Sequence, residues 1–145
     1  MLKKLYVLYL VVFLGISIAA FVIGNYGIHD QKSHIYLLPD GYTGWVEIRY
    51  EQEGSPPLIR EGKEYVHLIP RTGVLNTSDS PTSGGMEFYY LDEQGKRNKI
   101  GLEMIRTQAM KTKDVLTSKG TQEQVSVNVF FVGTGQQWND AKSRN

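Results

Sequence analysis

Apolar positions fall into one long uninterrupted run near the start of the chain and many short bursts after it. Leu5 to Ile23 carries no charge, and only Gly15, Ser17 and two Tyr hydroxyls interrupt its apolar character. As a helix this run spans roughly 28 Å, close to the ~30 Å hydrocarbon core of a bilayer. Lys3 and Lys4 precede it and are expected to stay in the cytoplasm, which leaves the chain after Gly24 outside. A cleaved signal peptide also fits, with small residues at Ser17 and Ala19. The continuation of the apolar run to Ile23 favours an uncleaved anchor.

The later bursts read as strands. Trp45 to Glu51 alternates, with Val46, Ile48 and Tyr50 on one face and Trp45, Glu47, Arg49 and Glu51 on the other. Ile35–Leu38 is a short apolar run stopped by the turn signal Pro39-Asp40-Gly41. Leu58–Arg60 suggests an edge strand, and Tyr65–Ile69 a central one. Gly73–Leu75 is a brief extended piece, and Met86–Leu91 a strand by its aromatic content. Lys99–Arg106 alternates. Thr107–Gln124 is polar and reads as a loop or short helix. Val125–Val132 is the most strand-like stretch, with Val125, Val127, Val129 and Phe131 expected to face inward. Gln136–Lys142 allows one or two helical turns. Short strands between Gly/Pro turns, without alternating helices, predict a mainly β fold: an antiparallel β-sandwich or small barrel behind one transmembrane helix or signal segment. The expected organisation is an anchor or signal peptide over 1–24, a tether over 25–33, a β domain over 34–135 and a C-terminal tail over 136–145.

Composition narrows the chemistry. The chain has no Cys, which excludes disulfides, thiolate metal sites, thiol nucleophiles and a lipid-modified Cys within these 145 residues. Setting aside Lys3 and Lys4 leaves 14 basic against 15 acidic residues, with no clustered cations for nucleic acid. No HExxH, phosphate-loop, nucleophile-elbow or dinucleotide motif is present, so no metal or cofactor is expected. His29 and His34 read as solvated imidazoles near the tether, and His67 as a buried, hydrogen-bonded histidine or a speculative catalytic base. Trp45 on a polar strand face suggests a contact surface for a ligand or partner, with Asp40, Tyr42 and Arg49 beside it. Packing of Trp45 under the Pro39–Tyr42 loop or the C-terminal segment is the competing expectation.

Four segments carry a resemblance: Ile35–Val46, Leu68–Leu75, Phe88–Tyr90 and Phe130–Thr134. Together they are similar to a family of uncharacterised domains in exported, membrane-anchored bacterial proteins, mostly Bacillus-like. The resemblance implies an exported domain of unknown function and carries no catalytic residues. The expected role is a binding, interaction or structural module of the cell envelope, membrane-bound through residues 5–23. Its partners would be cell-wall glycan, a peptide or an envelope protein, with no nucleic acid. A small envelope-acting hydrolase or transferase using His67 is the enzyme alternative, a toxin-immunity protein is another, and a secreted form is the alternative location.

Overall fold

The computed structural model describes residues 32–116 and 119–144. The apolar run at 5–23, the tether residues up to 31 and His29 lie outside the described residues. Among the described residues no helix is long and apolar enough to cross a membrane.

Among the described residues nine strands form two sheets. The first has the order β3-β4-β1-β6-β7, from Ile59–Glu61, Glu64–Leu68, Ser33–Pro39, Gly85–Leu91 and Arg97–Lys99. The second has the order β5-β2-β9-β8, from Val74–Asn76, Gly44–Arg49, Gln122–Val132 and Ile105–Leu116. A 3-10 turn over Leu102–Met104 precedes β8, and helix α1, Gly135–Lys142, follows β9. Tyr36, Leu38 and Phe88 of the first sheet share one core with Val46, Ile48, Phe130 and Val132 of the second. The arrangement is not a closed barrel.

Both sheets are mixed, which corrects the antiparallel expectation. β1 runs parallel to β4 and β6, and β2 runs parallel to β5. Parallel neighbours need a crossover connection, usually a helix. Here a strand in the other sheet does that work: the chain passes through β2 between β1 and the β3–β4 hairpin, and through β5 before β6. Because β1 is central and parallel on both sides, residues His34 to Leu38 are all buried. His34 therefore sits inside the domain, not on a solvated tether.

Two further expectations change. Lys99–Arg106 is not one strand, since β7 ends at Lys99 and Leu102 is exposed in the 3-10 turn. Thr107–Leu116 is strand, part of a long hairpin with β9. The face of β9 is also inverted. Asn128, Phe130 and Gly44-paired Val132 lie with core-facing Ile48 and Val46, whereas Val127, Val129 and Phe131 pair with Arg49, Glu47 and Trp45. Val127 and Phe131 are nonetheless buried, Phe131 against Trp45 and Trp138.

Gly73 fixes the junction between β2 and β5. Its φ is +77°, and a Cβ there would overlap the Tyr42 hydroxyl and the Trp45 carbonyl oxygen. Gly73→Ala is therefore expected to lower stability by about 2 kcal/mol or more, since backbone strain and overlap add. A thermal melt shifted by less than a few degrees would contradict this.

Candidate functional site

In-register parallel pairing sets equivalent residues side by side. Tyr36 is the partner of both His67 and Phe88, so the three rings form a stacked row across β4, β1 and β6. Ring centroids lie 4.4 Å apart for Tyr36–His67 and 4.7 Å for Tyr36–Phe88. One step towards the sheet end, His34 pairs with Tyr65 and Met86, and its ring stacks on Tyr65 at 5.3 Å. His34 Nδ1 and His67 Nε2 are 3.0 Å apart, one donating to the other.

The two imidazoles differ in reach. His67 is fully buried, and its Nδ1 has no partner. Burial first, and the neighbouring His34 second, push its pKa down to about 3. Burial also lowers the His34 pKa, partly offset by hydrogen bonds with the Ser83 and Thr82 backbone. Both rings are thus neutral at pH 7.

His34 lines an open pocket of about 570 Å³ where the core gives way at one end of the two sheets. Tyr36 and Met86 contribute from the first sheet, Asn128 and Met110 from the second, and Tyr50 from just after β2. The loop Pro81–Gly84 closes over His34. Gly84 allows this close approach, because a Cβ there would overlap the Lys32 carbonyl oxygen. Thr82 Oγ1 is consequently 3.4 Å from His34 Nε2.

Asn128 is the polar centre of the pocket. It is 5 % exposed and faces inward from β9. Its Nδ2 donates to the Tyr36 hydroxyl at 3.4 Å, and Tyr50 lines the pocket beside it. Its Oδ1 is buried without a partner. Burial raises the pKa of Tyr36 strongly and of Tyr50 as well, so both stay protonated. Among the described residues no acid, Lys or Arg lines the pocket.

The residues Asp40, Tyr42, Trp45 and Arg49 do not form one constellation. Asp40 is exposed in the turn after β1, beside a smaller hollow with Arg71 and Asp92. Tyr42 folds back so that its hydroxyl donates to the Trp45 carbonyl at 2.6 Å. Trp45 is 36 % exposed and packs edge-on against Trp138 of α1 at 5.2 Å and Phe131 at 5.6 Å. The C-terminal segment thus covers part of its ring. A capping box between Thr134 and Gln137 starts that helix. Arg49 lies on the same face, but roughly 13 Å along the strand. It is bound to Glu47 at 2.6 Å, and Lys113 holds the same carboxylate at 2.9 Å. Burial raises the Glu47 pKa, but the hydrogen bonds from Lys113 and Arg49 outweigh it and leave the pKa lowered. Among the described residues no group of acids and histidines could hold a metal ion.

Sequence reasoning missed His34, Tyr36, Tyr50, Thr82 and Asn128 as one group. The available signal was Asn128, a polar side chain inside the most apolar strand.

The model of a family of unknown function, DUF6843, matches residues 30–141. The chain belongs to this family. The DUF6843 match takes in every described strand and nearly all of α1. No curated protein matches the chain. A 2.75 Å crystal structure of a "Putative Lipoprotein from Bacillus anthracis" is similar, with a TM-score of 0.59 and 21% identity. The likeness covers 72% of this chain and 73% of that one, and it shows a shared fold.

Proposed function

We propose that this DUF6843 chain is a non-enzymatic binding module of the cell envelope, anchored by residues 5–23, with its β domain on the outer face of the membrane. The observation that carries the binding reading is the pocket around Asn128, whose buried carbonyl oxygen lacks a partner. Its volume falls within the ordinary range for small-molecule sites. Tyr36, Tyr50 and His34 add polar atoms, and Met86 and Met110 an apolar rim. The envelope location is supported by the apolar run behind Lys3 and Lys4, and by the likeness to a protein named as a lipoprotein. With no Cys in this sequence, the apolar run is the segment available for anchoring.

Fractionation tests the location. The full-length chain is expected in the membrane fraction, with its β domain open to protease added to wall-stripped cells. A soluble, shortened protein beginning near Ala20 would sink the anchor, and protection from external protease would sink the outward display.

A hydrolase is the second reading, favoured by one observation: the relay Thr82 Oγ1, His34 Nε2 and, behind it, His67. A hydroxyl, a base and an orienting group are the parts of a nucleophilic site. The orienting group here is a neutral imidazole, which cannot stabilise an imidazolium as a carboxylate does. That weighs against hydrolysis. Turnover of a chromogenic ester, abolished by both Thr82→Ala and His34→Asn, would reverse the preference.

A further inference from the structure

We infer that the pocket receives an uncharged group carrying a secondary amide, held edge-on by Asn128, Tyr36 and Tyr50. This rests on the binding reading and gives it a ligand class. Three observations carry it.

The first is the hydrogen-bond pattern. The Asn128 amide donates to the Tyr36 hydroxyl, and Tyr50 lines the pocket beside them. The Tyr36 hydroxyl, accepting at its oxygen, keeps its own proton free to donate, and the Tyr50 hydroxyl adds a second donor. The Asn128 carbonyl oxygen, buried and unpaired, remains as an acceptor. The pocket therefore offers donors beside an acceptor a few ångströms apart. A secondary amide presents the complement, a carbonyl oxygen beside an N–H. Turning the Asn128 amide over exchanges its donor and acceptor ends and again leaves both kinds of group. The pairing with an amide survives either orientation.

The second is charge. Among the described residues no Asp, Glu, Lys or Arg lines the pocket, and burial lowers the His34 pKa. A carboxylate, phosphate or ammonium would lose its hydration there and find no counter-charge. The third is the rim. Met86, Ala109, Met110 and Pro81 provide apolar surface next to the polar centre. Met86 and Met110 are both exposed, so they are available to a ligand. An amide flanked by a methyl group or aliphatic carbon matches that surface, and thioether side chains adapt well to such shapes.

Two envelope materials carry this chemistry: acetamido sugars and peptides. The test uses the full chain in lipid nanodiscs, titrated by calorimetry with four probes. These are N,N′-diacetylchitobiose, N-acetyl-alanine methylamide, cellobiose, which lacks the acetamido group, and sodium acetate, which is charged. At least one amide probe should bind 10-fold or more tightly than cellobiose and acetate. The better of the two amides identifies the source. Asn128→Leu should weaken that binding at least 10-fold, and Asn128→Gln should recover part of it. Thermal melts of both variants must stay cooperative; if Asn128→Leu does not fold, Tyr50→Phe takes its place, with the same 10-fold criterion.

Binding of cellobiose or acetate that equals the amides, and is lost in Asn128→Leu, would overturn the amide while leaving the pocket as a binding site. Amide binding that is unchanged in Asn128→Leu and Tyr50→Phe would overturn the assignment to this pocket. No binding by either amide would overturn the ligand class. The envelope reading falls separately, by fractionation.

Discussion

Lowering the pH from 7 to 4 is expected to destabilise the domain by roughly 3 kcal/mol through His67 alone. The folded state holds this imidazole neutral, with its pKa pushed down to about 3 by burial and by His34. The unfolded chain binds the proton near pH 6.5. Between these values the unfolded state carries more protons, so stability is full above about pH 6.5 and falls as the pH drops towards 3. The groups facing the ring are His34, Tyr36 and Tyr50, none of them an anion that would rescue the charged form. His34 is shifted in the same direction and adds to the loss. Carboxylates with lowered pKa, such as Glu47 and Glu61, act at lower pH, below their ordinary range. His67→Phe separates the two. It keeps a ring beside Tyr36 but leaves His34 Nδ1 without its partner, costing about 1–3 kcal/mol at pH 7. Its stability should then be flatter than wild type between pH 6.5 and 4.5. Denaturant midpoints measured by Trp fluorescence across that range decide it. Parallel curves for the two proteins would contradict the account.

Phe130→Ala is expected to cost about 3–5 kcal/mol. The ring is fully buried where the sheets meet, edge-on to Tyr36 at 5.5 Å and to Phe88 at 5.4 Å. Truncation leaves a cavity between two sheets that are each hydrogen-bonded and poorly able to collapse. Small domains have about 5–15 kcal/mol in total, so much of the stability goes. The melting temperature should fall by about 12 °C or more, or the variant should fail to accumulate. Ile48→Val, in the same core, is expected to cost only about 0.5–1.5 kcal/mol. Similar melts for the two variants would show that Phe130 does not join the sheets.

The legible parts of the fold are those where one face is apolar and the other polar. β2 is the clear case, since Val46 and Ile48 are core and Trp45, Glu47 and Arg49 are outside. β9 fails the same test because both its faces are buried. Trp45 and Trp138 pack on the outer side of Phe131, so Val127, Val129 and Phe131 mark the outer face. The polar members Ser126 and Asn128 then mark the inner side, where the pocket opens. β8 was obscured for the opposite reason: most of its residues are exposed on both faces, and only the hairpin hydrogen bonds to β9 make it a strand.

The site was less legible than the fold. His34 and His67 are 33 residues apart, and only the parallel register of β1 and β4 brings their rings into contact. Nothing local in either segment announces a parallel partner. His67 was readable as buried from its apolar neighbours, whereas His34 looked solvated because a polar, Gly-containing segment precedes it. Tyr50 was placed on the correct face, but the pocket it lines also needs Asn128, from a strand 78 positions later.

The absence of Cys offers a direct measurement of the central claim, an outward-facing domain with a ligand pocket. Met110→Cys places one thiol at the pocket mouth. A membrane-impermeant maleimide, added to intact wall-stripped cells, should label it. A soluble cell-wall digest should slow that labelling several-fold in Met110→Cys and leave it unchanged when Asn128→Leu is added. Labelling only after lysis, or at one rate with and without the digest, would contradict the account.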